Sequence, residues 1–433
     1  MKKILELTRQ GKYLEAGEEL KSFISKSFNE LSVKQVVIQR DSISLNSVNG
    51  TILLSNPFKN ENKLFFKFHK EEEEEGIIKE YYNAEILKQA GFPVEMPILM
   101  SKEVGKQILI YTFNKNKRFF DVCKINDKIT NKKDKSLKNI FELQKKLDEK
   151  TCKIYLSSLH RCDKKDALEE SILKLFYWRL VEGIGKEEEL GGRVKKFYIN
   201  KTFEFPNNTK ISWNKLSKLK WKINGVTYKE TLLDAFLKAK KLLSIESHKN
   251  CQAVVAHGDA HNGNIWYNEK KGLTLFDPAF AGKNIPALLA EIKPTFHNIF
   301  AHPLWLYDSK SSKFKVEVKI NDDTIIVQHN WKLTPIREGL FDIKLKYLWI
   351  PLISKLKKEG VLIKAWQNYI RSALFCCPTL VMNLRANAGT PANIHTPDTS
   401  LLGLSIAIML SSEPVKGEDY LTYFFSKIEE KLK

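Results

Sequence analysis

The stretch "VVAHGDAHNGNIWYNEKKGLTLFDPAFAG", Val254 to Gly282, gathers His257, Asp259, His261, Asn264 and Asp277 around two short apolar runs. "NIWY" and "LTLF" read as strands joined by "NEKKG". With Lys270 and Lys271 centring the turn, Ile265 falls opposite Phe276, Tyr267 opposite Thr274, and Asn264 opposite Asp277. Residues paired across an antiparallel ladder sit about 4.5–5.5 Å apart at Cα. An amide oxygen and a carboxylate at one spot are hard donors suited to Mg²⁺. Asp259, five residues before Asn264, is separate from those ligands. A carboxylate there can orient a hydroxyl and accept its proton.

Other elements must position this set. Residues 1–30 alternate apolar and charged at helical spacing and read as an N-terminal helical extension. "QVVIQ", "GTILLS", "KLFFKFH" and "GKQILIYTF" read as strands. "EEEEEGIIKEYYNAEILKQAG" reads as a helix closed by Gly91 and Pro93. Residues 31–113 therefore form a small sheet-rich lobe. Residues 114–433 are mainly helical, with "LFYWRLVEGI" among the expected helices. Hairpins are expected at "KWKINGVTY", with an Asn224-Gly225 turn, and at "FKVEVKINDDTIIVQHNW". The fold class is α/β in the α+β sense, with two lobes.

"HGDAHNGN" followed by "LFDPAF" resembles the catalytic loop and metal-binding Asp of the aminoglycoside phosphotransferase and choline kinase superfamily, which has a protein-kinase-like fold. The wording "DPAFAG" is also similar to fructosamine and methylthioribose kinases. The resemblance spans about residues 35–300. It implies an ATP- and Mg²⁺-dependent kinase that phosphorylates a hydroxyl of a small molecule. Asp259 would be the catalytic base and Asn264 and Asp277 the metal ligands. His257 would brace the loop and His261 shape it. Kinase-like folds need a Lys on the triphosphate and a Glu fixing that Lys. Lys67, inside an apolar strand, fits the first. Glu80 and Glu85 are candidates for the second, and Glu80 is preferred, seven residues before Leu87. "SLNSVNG" would be the phosphate-covering loop, through Ser47, Asn49 and Gly50. Backbone groups of Ile110 to Phe113, Tyr111 among them, would meet adenine. Glu291 is offset by about a turn from the place where relatives carry an Asp that steadies the catalytic loop.

Composition narrows the alternatives. The net charge is +20, yet Arg supplies only nine of 71 basic residues and the Lys are dispersed. Nucleic-acid binding is therefore not expected. No apolar run is long enough to span a membrane. "MKKILELTRQGKY" lacks a signal-peptide core. The six Cys form no CxxC pair, which fits a reduced, cytoplasmic chain. The run Glu71–Glu75 reads as a solvated face. His297 and His302 are spaced five apart, which misses the one-face spacing of a zinc helix. Cys376 and Cys377 read as core. The acceptor is expected to be neutral or anionic, because a basic field repels a polycation. Asn387, Asn393, His395 and Asp398 are candidates to contact it. "HGD" in place of "HRD" and "DPA" in place of "DFG" argue against a protein-kinase-like effector. Intact Lys67, Asp259, Asn264 and Asp277 argue against a nucleotide-binding pseudokinase scaffold.

Overall fold

The computed structural model describes residues 2–39, 47–69, 75–101, 107–183, 185–186, 189–389 and 394–433. The small lobe is built on an antiparallel sheet of β1 (Val33–Ile38), β2 (Ser47–Phe58), β3 (Glu61–His69), β4 (Leu99–Ser101) and β5 (Ile108–Thr112), in the order β1-β2-β3-β5-β4. The β2–β3 turn places Lys59 and Asn60 at φ of 49° and 66°, the left-handed pair that matches strand twist. Alternation in β3 buries Leu64, Phe66 and Phe68, so Lys67 must point to the other face.

Two helices, α1 (Lys2–Arg9) and α2 (Tyr13–Ser27), cover the sheet. Ile4, Ala16, Leu20 and Ile24 share one core with Val36, Ile52, Phe66 and Phe68. The two helices thus share the small lobe's core. Helix α3 (Glu75–Gln89) follows β3 and stops at Gly91, whose φ is +96°.

The large lobe centres on the helix Lys135–Ser158, capped by Asp134 accepting from the Ser136 amide. The helical segment 335–358 packs against it, 420–432 packs on that segment, and 366–381 packs with 397–411. Among the described residues no helix is long and apolar enough to cross a membrane. Both expected hairpins form. Asn224 and Gly225 take φ of 47° and 87°, as that turn requires. The hairpins also join: Lys220–Ile223 runs parallel to Thr324–His329 in one five-stranded sheet, which neither local pattern announces. "LFYWRLVEGI" is not one helix. It breaks at Phe176 (φ −120°, ψ −83°) into the turns Ile172–Leu175 and Tyr177–Leu180.

Candidate active site

Strand Cys251–Ala256, paired with Gly282–Pro286 and His160–Cys162, delivers the His257–Asn264 loop. Gly258 sits at φ +72°, and a Cβ there would come 2.3 Å from the Phe280 carbonyl oxygen, so the close crossing of the two loops needs glycine. His257 Nε2 donates to the Phe276 carbonyl (3.0 Å), and its Nδ1 accepts from the Asp259 amide (3.3 Å). One buried ring thereby ties the Asp259 loop to the segment carrying Asp277. Burial pushes its pKa down, so the ring is neutral. His261 Nδ1 accepts from the Gly263 amide (3.0 Å), capping the turn Asn262–Asn264. Burial lowers the His261 pKa to about 4. Asn264 Nδ2 donates to the Asp259 carbonyl (3.0 Å), which assigns the other side-chain atom, the amide oxygen, as an acceptor.

The hairpin register differs by one from the expected register. Ile265 pairs with Leu275, Trp266 with Thr274 and Tyr267 with Leu273. The cause is the turn: Asn268 Oδ1 accepts from the Lys270 and Lys271 amides at 3.1 and 2.8 Å, ending the strand one residue sooner. Asn264 therefore lies beside Phe276, whose amide donates to the Asn264 carbonyl (3.0 Å), and Asp277 is one step further on. Asp277 takes φ +57°, an αL bend at a non-glycine residue. Small-lobe contacts hold this bend in place. Asn83 Nδ2 in α3 donates to the Pro278 carbonyl (3.1 Å), and Lys67 Nζ in β3 meets Asp277 Oδ1 at 2.6 Å. The Lys67 side chain is 11% exposed and that of Asp277 38%.

Asp259 is buried, and its Oδ1 lies 2.9 Å from Lys293 Nζ, also buried. Sequence reasoning passed over Lys293, two residues after Glu291. Glu291 itself turns away: it accepts from Tyr155 Oη (2.6 Å) and Lys344 Nζ (2.8 Å) in the core. The loop is steadied instead by Asn298, whose Oδ1 accepts from the Asn262 amide (2.7 Å). Arg337 donates to the Asn298 carbonyl (2.8 Å) and grips Asp127 with two nitrogens at 2.9 and 2.8 Å. Asp127 and Arg337 are 210 residues apart, so no local spacing could have paired them.

The remaining candidates divide. Ser47, Asn49 and Gly50 belong to β2 and not to a loop. Asn49 pairs with Lys67, and Gly50 with both Ile38 and Phe66. The residues before them, 40–46, lie outside the described residues, as do Glu71–Glu74. Glu80 is in α3, but its side chain is outside the description. Tyr111 is buried in β5 opposite Phe65, and Phe113 follows at the lobe junction with Lys63 Nζ 3.7 Å from its ring centroid. Glu95 links that junction to the hairpin, accepting from Asn114 Nδ2 (3.0 Å) and Trp266 Nε1 (2.9 Å). His297 pairs with Tyr307 Oη, whereas His302 sits 3.8 Å from Asp127. No group of three or more His, Cys, Asp or Glu is placed to hold a metal among the described residues. Asn387 donates to Glu204 (3.0 Å) and His395 is buried. Asp398 lines an open groove with Phe205, Asn207 and Glu317, and Asn393 is outside the described residues.

No family model matches the chain, and no curated protein matches it. Among solved structures it is similar to a macrolide 2'-phosphotransferase type I, at 11% identity over 85% of this chain and 90% of that one, TM-score 0.41. It is similar to a spectinomycin phosphotransferase in complex with ADP and spectinomycin, at 11% identity over 90% and 98%, TM-score 0.38. It is also similar to LicA in complex with AMP, at 12% identity over 96% and 97%, TM-score 0.37.

Proposed function

We propose that this chain is a small-molecule kinase of the aminoglycoside phosphotransferase and choline kinase type, transferring the terminal phosphoryl group of ATP to a hydroxyl. The observation that carries the reading is the contact of Lys67 with Asp277 at 2.6 Å, from opposite lobes, beside the loop that holds Asp259. A lysine on an inward strand face and a carboxylate on an αL bend are costly unless they serve charge. Triphosphate and cation supply the charge that would draw each from the other.

The residues fit Mg²⁺: Asn264 brings an amide oxygen, and Asp277 brings a half-exposed carboxylate one residue beyond Phe276, which lies beside Asn264. When bound, the ion would neutralise charge on the phosphate oxygens. Lys67 would bind the triphosphate, with Glu80 as its proposed anchor. The β2 start at Ser47, Asn49 and Gly50 would lie over the phosphates, and the backbone near Tyr111 and Phe113 beside adenine. Asp259 would orient the acceptor hydroxyl and take its proton, with Lys293 keeping the carboxylate aimed. Little covalent work falls to the protein, so the rigidity of His257, Asn262 and Asn298 is what the chemistry asks for.

Calorimetry with ATP, with and without Mg²⁺, followed by phosphoryl transfer to a pool of small metabolites, tests the reading. Nucleotide binding without transfer to any small molecule, but with transfer to protein, would favour an effector kinase. Binding with no transfer at all would favour a scaffold.

A further inference from the structure

Beside Asp259 lie Lys293, which pairs with it, and two buried nitrogens of Arg179 and His297 that lack partners among the described residues. Lys293 and His297 lie four residues apart in the helical segment 292–300 and so share a face. Lys293 reaches Asp259, and the His297 ring lies 5.2 Å from that of His261, itself 3.7 Å from Asp259. His297 is 5% exposed, and its Nε2 has no hydrogen-bond partner among the described residues. Arg179, from the turn Tyr177–Leu180, is within electrostatic reach of both His297 and Asp259, and its Nη1 is buried and likewise unpartnered.

Charge does not balance here. His257, His261 and His297 are held neutral by burial. Arg179, its pKa lowered by burial only to about 10, stays charged, and it and Lys293 share the carboxylate of Asp259. Arg193 repels Arg179 further. A buried cation without a counter-charge is strongly unfavourable. The chain also uses Arg sparingly, and the guanidinium is the side chain whose planar fork suits phosphate and carboxylate.

We propose that Arg179, Lys293 and His297 form an anion-binding subsite on the acceptor side of Asp259, and that the acceptor carries a phosphate or carboxylate group near the hydroxyl it presents. This rests on the kinase reading and adds the acceptor's chemical class. The anion restores the missing negative charge and fixes the acceptor, so that its hydroxyl lies against Asp259. His297 adds a neutral hydrogen-bonding nitrogen, with Tyr307 Oη holding its other edge.

The probe is inorganic phosphate, titrated into the full chain and followed by calorimetry and ³¹P NMR. One site is expected. Arg179→Met and Lys293→Met should each weaken it at least tenfold, and Arg179→Lys should weaken it less. Asp259→Asn, which removes the opposing charge, should tighten it severalfold. The exposed Lys222→Met should leave it unchanged, and equal loss there would assign the binding to the general +20 field and overturn the proposal. Unaltered affinity in Arg179→Met, or weakening in Asp259→Asn, would also overturn it. Phosphate should still bind beside a saturating non-hydrolysable ATP analogue. Displacement would assign the cations to the nucleotide's last phosphate and overturn the acceptor role. Failure of the analogue to bind at all would instead sink the kinase reading, which the phosphate titration alone leaves apart. Acetate in place of phosphate separates a carboxylate-sized from a phosphate-sized subsite.

Discussion

Replacing Arg337 by Leu should expose how the catalytic loop is held. Arg337 is 1% exposed, grips Asp127 with two nitrogens and reaches the Asn298 carbonyl. Removing one partner of a buried pair costs about 3–5 kcal/mol, because the other charge remains buried. Unfolding entropy of about 2.1 cal/mol/K per residue over 433 residues gives about 0.9 kcal/mol/K, so Tm should fall by about 3–5 °C at pH 7. The sign of the pH dependence is specific. In the native protein burial pushes the Asp127 pKa up, but Arg337 more than offsets it, and the net value is lowered. That stability is present above the unfolded carboxylate range and is lost as pH falls through the folded value. In the variant only the upward push of burial remains large. The penalty should therefore be greatest at pH 7 and shrink as pH falls and Asp127 takes a proton or His302, 3.8 Å away, becomes charged. Calorimetric scans of both proteins at pH 7 and pH 5 read this out. A Tm difference below about 1 °C, or one that widens at pH 5, would refute the reasoning.

Asn298→Ala should free the Asn262 amide and lower kcat about tenfold, while KM for ATP stays within about threefold, as steady-state kinetics would show. Asp277→Ala should weaken Mg²⁺-dependent ATP binding more than Mg²⁺-free binding; equal calorimetric losses would remove it from the metal site. Lys67→Met should raise KM for ATP without raising that for the acceptor, and with Glu80→Gln added should lose little more, whereas additive losses would detach Glu80 from it. Burial and neighbouring Glu291 raise the Asp148 pKa to about 6 despite Lys344. The folded state then holds that proton more tightly, so stability falls as pH rises through about 4 to 6. Asp148→Asn should flatten that fall, and an unchanged profile in thermal scans would place the titration elsewhere.

What the sequence made legible was local. The strand carrying Lys67 was legible, and Asn224-Gly225 announced its hairpin, because strand alternation and left-handed turns are properties of a few neighbouring residues. The Asn264–Asp277 hairpin was visible, but its register slipped by one because Asn268 accepts from two turn amides, a contact that period-two patterning does not encode. The second half of "SLNSVNG" is strand, not loop: Asn49 pairs with Lys67, and Gly50 with both Ile38 and Phe66, a pairing that its turn-forming residue types do not announce. The brace of Asn298, Arg337 and Asp127, and the approach of Lys293 to Asp259, join distant segments. A lone Lys or Asn in an apolar helix gives no sign of which loop will pack against it.

The central claim meets its most direct test in transfer from γ-labelled ATP, with Mg²⁺, to a pool of small hydroxyl-bearing metabolites, comparing the native chain with Asp259→Asn. The account predicts a labelled phosphomonoester from the native chain. It predicts transfer slower by about 10²–10⁴-fold in the variant, the usual contribution of a general base, with ATP affinity within about twofold of native. Transfer at near-native rate in Asp259→Asn, or no labelled small molecule from a native chain that binds Mg·ATP, would contradict it.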